Sequence, residues 1–304
     1  MTFLRTPALR TTPFDRIAEQ PALDRIAGAA RDAVSRLLVD RRLKDALHGV
    51  WLGHPLHPAL AQLTLGSFVS AAALDVTGDA SRASSRLITI GAVAALPTVA
   101  AGWADYADAH EEQQRLGVVH AALNGAGLAG FLTVLALRAR GAGGAARVVS
   151  VAAGALAGIA AAIGGDLAYR RALGANHAEH VPHVGPAEWQ ELGPLADLPE
   201  GEPVRRQAGD VPVVVVRGSD GAADTVHVLS NTCPHLAAPM SDGDLDDGTG
   251  EVILTCPWHG SAFRVADGAV VHGPATSPLP CFDARIVAGT VEAKVREFPG
   301  VPAS

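Results

Sequence analysis

The sequence predicts a two-part molecule: an N-terminal all-α bundle of four membrane-spanning helices, followed by a C-terminal all-β domain. Three observations predict it. Four apolar stretches, each close to the ~20 residues that cross a ~30 Å hydrocarbon layer, lie in succession between residues 58 and 170. The 304-residue chain has only 18% charged residues and a positive mean hydropathy of +0.22, whereas a soluble domain carries about 25% charge. From about Trp189 onward, short apolar or alternating runs are separated by glycine- and proline-containing turns.

The apolar stretches run from Pro58 to Val76, Leu87 to Trp103, Leu116 to Leu137 and Val148 to Leu167. Their richness in Ala and Gly suits helices packed closely in lipid; the alternative is a buried soluble bundle. Gly154 and Gly158 form a Gly-x-x-x-Gly pair in the fourth, and Pro97 is expected to kink the second. Residues 1–50 lack the apolar segment of a signal peptide and are rich in arginine. Within them Ile26, Ala30, Val34, Leu37 and Leu38 recur at helical spacing, which predicts an amphipathic helix over Ile26–Leu47 lying on the membrane surface. With four spans, the N-terminal segment, the loop after the second helix and the two arginines just past the fourth bring 12 Lys and Arg to one side, against 5 in the loops of the other. Both termini and the β domain are therefore expected in the cytoplasm, beneath a bacterial inner membrane. The expected divisions are an N-terminal segment (1–50), the helix bundle (51–171), a linker (172–188), the β domain (189–298) and a tail (299–304). His177, His180 and His183 are read as part of a solvated linker.

The strands are expected at Val213–Arg217, Thr225–Leu229, Glu251–Thr255, Ala262–Val265 and Ala284–Val287, with turns at Gly218–Gly221 and Asp267–Gly268. Inside this region stand Cys233-Pro234-His235 and Cys256-Pro257-Trp258-His259, with twenty residues between His235 and Cys256. Two thiolates and two imidazoles can ligate a metal centre. A structural Cys₂His₂ zinc site is one reading, although zinc fingers group Cys with Cys and His with His.

Together with Asn231-Thr232 before the first piece, Gly260-Ser261 after the second, and the Phe263 to Gly268 turn, these two pieces resemble the Rieske iron–sulfur family. The resemblance covers roughly residues 189–297. It implies a [2Fe–2S] cluster with Cys233 and Cys256 on one iron and His235 and His259 on the other. The histidine side is expected near the surface, since electrons leave through it. Ala238 and Trp258 occupy the positions where the cytochrome bc-type branch carries a disulfide. The likeness is therefore to the ferredoxin-like branch used with oxygenases, with a potential expected near about −150 mV. Cys281 is read as a free structural thiol. The Asp- and Gly-rich insert Ser241–Gly250 makes the gap between the motifs longer than the family leads one to expect.

Function follows as an expectation: a membrane-anchored one-electron carrier. Alternatives are a membrane oxidoreductase using quinol or a bundle-bound haem, or a redox sensor. From Trp189 to Ser304 the net charge is −9, against +2 for the rest, which favours a basic reductase or acceptor oxygenase as partner. No basic footprint for nucleic acid exists. There is no dinucleotide fingerprint, and too few residues follow His259 for an oxygenase catalytic domain. The membrane half carries Gly53-His54-Pro55-Leu56-His57-Pro58 and resembles an uncharacterised bacterial membrane-domain family with a His-Pro-x-His-Pro signature. Pro58 is expected at the first helical position, with His57 near the cap. His54, His57, Asp105, His110, His120, Asn124, Asp166 and Tyr169 are expected at one level of the bundle. A haem b held by His57 and His120 is one reading of them, a quinone pocket a second, and a polar network that caps and packs helices a third.

Overall fold

The computed structural model describes residues 12–78, 81–218, 225–246 and 250–296. Arg5, Arg10, Asp79, the turn residues Ser219–Gly221 and the tail 299–304 lie outside the described residues. The helices are α1 (Pro13–Ala18), α2 (Asp24–Leu37), α3 (Arg41–His48), α4 (Leu56–Thr77), α5 (Ser81–Ala107), α6 (Glu111–Ala139), α7 (Gly143–Gly165) and α8 (Val181–Val184), with a π-helical turn at Asp166–Arg170. The strands are β1 (Gln190–Pro194), β2 (Pro203–Ala208), β3 (Val211–Arg217), β4 (Val226–Ser230), β5 (Asp244–Asp246), β6 (Ile253–Thr255), β7 (Ala262–Arg264), β8 (Val270–His272), β9 (Cys281–Val287) and β10 (Thr290–Val295). The chain forms two compact units. One holds residues 1–37 and 58–173, the other 38–57 and 174–304.

In the helical unit, α4 to α7 are each long and apolar enough to cross a membrane. Helices α5, α6 and α7 begin five or six residues before their apolar stretches, whereas α4 exceeds its stretch by no more than two residues at either end. His110 caps α6, its backbone N–H bonded to Gln113 Oε1 at 2.8 Å. The bundle core is built on Phe68 and Phe131, stacked at 4.4 Å between ring centroids. Gly91 of α5 leaves room for that stack, since a Cβ there would sit 2.7 Å from the Phe68 ring. Of the pair Gly154 and Gly158, only the first makes the expected close helix contact. Gly127 and Gly130 of α6 face Ala153 of α7, while Gly154 meets Ala72 of α4 and Gly158 has nothing within 4 Å. Helix α5 continues through Pro97. Thr98 beside it donates its hydroxyl to Ala94 O at 2.7 Å and lies 2.9 Å from the Thr64 hydroxyl.

The single amphipathic helix expected over Ile26–Leu47 is two helices. Asp40 breaks it by accepting from the backbone N–H of Leu43 at 2.9 Å, an N-cap for α3. Helix α2 leaves Ile26 exposed. It turns Ala27 inward, and the Tyr106 hydroxyl donates to Ala27 O at 2.8 Å. Helix α4 begins at Leu56, so His57 and Pro58 lie inside its first turn, and Pro58 is its third residue rather than its first. A proline is tolerated there because first-turn N–H groups have no intrahelical partner. Near the C-terminal end of the bundle, Asp15 of α1 binds Arg170 (2.5 Å) and Arg171 (2.9 Å), and Asp166 binds Arg171 at 2.8 Å. The Arg170 guanidinium holds the Asp15 carboxyl well below the usual carboxylate range.

The second unit is antiparallel throughout its ladders. A six-stranded sheet runs β1-β10-β9-β4-β3-β2, and a four-stranded sheet runs β5-β6-β7-β8. Strand β3 reads Val-Pro-Val-Val-Val-Val without alternation because both its faces are buried. Val213 and Val215 join one core with Val228, Phe282 and Val291, while Val214 and Val216 join another with Leu229, Leu254 and Phe263. The stretch read as a solvated linker belongs partly to this unit: Ala178 and Val181 are buried in its first core. The insert at 241–250 is in part a strand, since β5 pairs with β6; residues 247–249 of it lie outside the described residues.

A pair of charges in the helical unit provides a stability test. Arg138 bonds Asp75 and the hydroxyls of Ser84 (3.1 Å) and Ser85 (2.9 Å), tying α6 to α4 and α5 with both ionic side chains largely buried. Removing one partner strands the other charge. Arg138→Ala is expected to destabilise the detergent-solubilised protein by about 3 kcal/mol. The double variant Asp75→Asn, Arg138→Leu should recover part of that loss, as read from thermal unfolding.

Candidate metal centre

Two loops carry the candidate ligands. The first follows β4 and runs through Asn231–Met240. The second joins β6 to β7 and runs through Cys256–Ser261. Each is closed by its own backbone. In the first, Cys233 N donates to Ala238 O and Ala237 N to Cys233 O, both at 2.9 Å. In the second, Cys256 N donates to Ser261 O at 2.8 Å and Gly260 N to Cys256 O at 3.2 Å. Both turns need a left-handed residue, Ala237 (φ +62°) and Gly260 (φ +74°).

That shared shape aims amides at sulfur. The Cys233 sulfur receives the backbone N–H groups of His235 and Leu236, and the Cys256 sulfur those of Trp258 and His259. Two successive N–H groups converging on one atom make a small anion-binding cradle, suited to a thiolate. The two thiols are buried and hydrogen-bonded to each other. That bond, with burial behind it, pushes the Cys233 thiol up. It also lowers Cys256 to about 7, helped by the Trp258 and His259 amides and opposed by burial. The rings of His235 and His259 meet edge to face with centroids 4.9 Å apart. The four expected ligand residues are thus brought together as a pair of sulfurs and a pair of imidazoles.

The surroundings hold the loops in place. Asn231 Oδ1 accepts from Ser241 N at 2.7 Å, and the buried Ser261 hydroxyl oxygen accepts from Ala275 N at 2.9 Å. Behind them Gly268 sits at φ +73°, and a Cβ on it would lie 2.0 Å from Leu279 O. This explains the Phe263 to Gly268 turn: only glycine fits the backbone and the space. Cys281 is buried and unpaired in any disulfide, its thiol pushed up to about 11 by burial. The expected exposure of the histidine side holds for one ring only. His235 is 9% exposed, with His177 N donating to Pro234 O at 2.9 Å, whereas His259 is half-buried.

Sequence reasoning missed the elements outside the β domain that reach this end. Arg41 of α3 donates to Gly260 O at 2.9 Å. Asp45 accepts from Gly273 N at 2.9 Å and bonds His272 Nδ1 at 2.7 Å. No local motif signals contacts that span more than two hundred residues of sequence.

The pair His57 and His120 fares differently. His57 belongs to the unit with the β domain and His120 to the helical unit. His120 has both ring nitrogens engaged, Nδ1 with Ala160 O at 2.8 Å and Nε2 with the Asn124 amide at 3.1 Å. A haem bond at His120 would break one of these, so the geometry matches a packing role for it. Nor do the polar residues expected at its level all turn inward: Tyr169 is 93% exposed, and Asp166 is taken up by Arg171. Neither haem nor quinone finds support here.

Two family models match the chain. The Rieske [2Fe–2S] domain family matches residues 188–283, and a family of predicted membrane proteins (DUF2231) matches residues 53–177. The anthranilate 1,2-dioxygenase ferredoxin subunit of Burkholderia cepacia is 35% identical over 109 residues, covering 36% of this chain and 94% of that protein. Ferredoxin CarAc of Metapseudomonas resinovorans is 34% identical over 105 residues, covering 34% and 90%. Among solved structures, Sphingomonas yanoikuyae B1 ferredoxin is 30% identical with a TM-score of 0.31, covering 36% of this chain and 100% of its own.

The local geometry is open to a direct check. Gly268→Ala is expected to destabilise the β unit by at least about 1–3 kcal/mol, with more from the clash at Leu279 O, and to lower the yield of folded protein. Cys281→Ala should leave the fold intact. Thermal melts followed by circular dichroism separate the two.

The antiparallel β unit, its paired Cys and His loops and its likeness to these ferredoxin subunits identify the chain as a member of the Rieske [2Fe–2S] family, carried behind a membrane-protein domain of the DUF2231 kind.

Proposed function

We propose that the chain is a membrane-anchored carrier of single electrons, with Cys233 and Cys256 holding one iron of a [2Fe–2S] cluster and His235 and His259 the other. The observation that carries this reading is the pairing of donors: two sulfurs in mutual contact, each cradled by two amides, beside two imidazoles in mutual contact. A single zinc would need all four donors around one point; a binuclear centre needs them in pairs. The cluster, when bound, supplies the one-electron chemistry. The chain's own residues place its ligands. The four amides from His235, Leu236, Trp258 and His259 stabilise negative charge on sulfur, and the second core, with Leu254, Phe263 and Cys281 behind the cysteines, excludes water from that side.

The Burkholderia cepacia relative is named as the ferredoxin subunit of a dioxygenase. By that analogy the partner is a redox protein, either a reductase that supplies electrons or an oxygenase that accepts them. The Lys and Arg distribution supports placing the β unit and both termini in the cytoplasm. The four spanning helices keep the carrier at the membrane; His120, one of the two expected haem ligands, has both ring nitrogens engaged in helix packing.

Metal analysis of the detergent-purified chain tests this. Iron and acid-labile sulfide in equal amounts, two of each per chain, with visible absorption, are expected. Cys233→Ala and Cys256→Ala should abolish the colour, while Cys281→Ala should keep it. A colourless preparation loaded with stoichiometric zinc would overturn the reading.

A further inference from the structure

The loops gathered at the cluster end of the β unit, residues 231–240, 256–261 and 272–280, contain no Asp, Glu, Lys or Arg. The strong negative charge of the domain therefore lies elsewhere on it. Charge reaches this end from α3. Asp45 is engaged there by both His272 Nδ1 and Gly273 N, so its carboxylate is already satisfied on two sides. Arg41 remains exposed while bonding Gly260 O, and Arg42 beside it is exposed as well.

Access to the two candidate histidines is unequal. Around His235, Pro234 and Leu236 are buried, and the 174–178 segment closes over Pro234 through the His177 amide. Around His259, Pro257 is exposed and Trp258 is 50% exposed, its ring 6.4 Å from the His259 ring. An exposed tryptophan on a loop that an exposed arginine, Arg41, bonds has the composition of an interface centre.

We propose that this face of the β unit, Trp258 on the 256–261 loop with Arg41 of α3 bonded to Gly260 O, is a docking surface for a redox partner presenting an apolar contact rimmed by carboxylates. The proposal rests on the cluster reading above. It inverts what net charge alone suggests, because the field felt by a docking partner is set by charges within about a Debye length of the contact, ~8–10 Å, rather than by the whole domain.

Small charged oxidants probe that field directly. The full chain in detergent is reduced, and its reoxidation is followed by stopped-flow absorbance with ferricyanide and, separately, with tris(phenanthroline)cobalt(III). Each reaction moves one electron from the reduced cluster to the oxidant, giving ferrocyanide or cobalt(II), with no bond made or broken at the protein. Attraction weakens with salt. The ferricyanide rate is therefore expected to fall as salt rises and the cobalt rate to rise. Arg41→Glu with Arg42→Glu should slow ferricyanide at about 0.1 M salt about tenfold and reverse both salt slopes above it, while Arg205→Glu on β2 should change neither. Arg41→Gln with Arg42→Gln, a gentler variant, should flatten the slopes. A ferricyanide rate that rises with salt in the unaltered chain, or slopes indifferent to α3 charge, would overturn the proposed face. A colourless unaltered chain would instead overturn the cluster reading on which it rests.

Discussion

A cysteine at the head of a tight turn gathers that turn's own amides onto its sulfur, and the rest of the β unit depends on this being done twice. The two turns are alike in sequence, Cys-Pro followed by two residues whose N–H groups point back. They are unlike in origin, one following β4 of the large sheet and the other joining β6 to β7 of the small one. Bringing the sulfurs together therefore requires both sheets to be in register and packed. Val214, Val216, Leu229, Leu254 and Phe263 form the core that does so. The close contact of Gly268 with Leu279 and the Ser261 hydroxyl on Ala275 tie the third loop to the second. Two buried thiols facing one another in an apolar core make sense when a positively charged centre is to be shared between them, since buried polar groups without such a partner are costly.

How much of this was legible in the sequence depends on the range of the interaction. The four spanning helices were readable because apolarity over some twenty residues is a local property. The ligand residues were readable because each pair lies within four residues. Strands β3 and β7 announced themselves by apolar runs. Strands β5 and β8 are three residues long, and β1 contains Gly193 and Pro194 with a bulge between Glu191 and Gly193, so no periodicity could declare them. Strand β10 did alternate, with Val291, Ala293 and Val295 inward, and was legible though not read. What no local pattern could disclose was tertiary. Asp40 splitting an amphipathic run into α2 and α3, Ala178 and Val181 entering a core, and Arg41 reaching Gly260 all depend on where distant segments meet.

The same distinction decides the membrane histidines. A histidine in an apolar helix is a functional candidate by default, and residue type alone offers no way past that default. Hydrogen bonds do. His120 lies between Ala160 O and Asn124, an arrangement that holds α6 against α7, where Gly127 and Gly130 face Ala153. In this respect the bundle resembles a well-packed anchor whose polar residues cap and pin its helices, as Gln113, Asp166 and Arg138 also do. The four candidate ligands lie instead in the β unit, two sulfurs in contact with each other and two imidazole rings in contact with each other.

The central claim is that imidazole nitrogens and thiolate sulfurs divide between two irons. Pulsed electron paramagnetic resonance of the reduced chain, labelled with ¹⁵N-histidine, reads that division directly. Two strongly coupled imidazole nitrogens, one lost when His235 or His259 is replaced in any variant that retains its cluster, are the expected result. A paramagnetic cluster with no strongly coupled histidine nitrogen would contradict it.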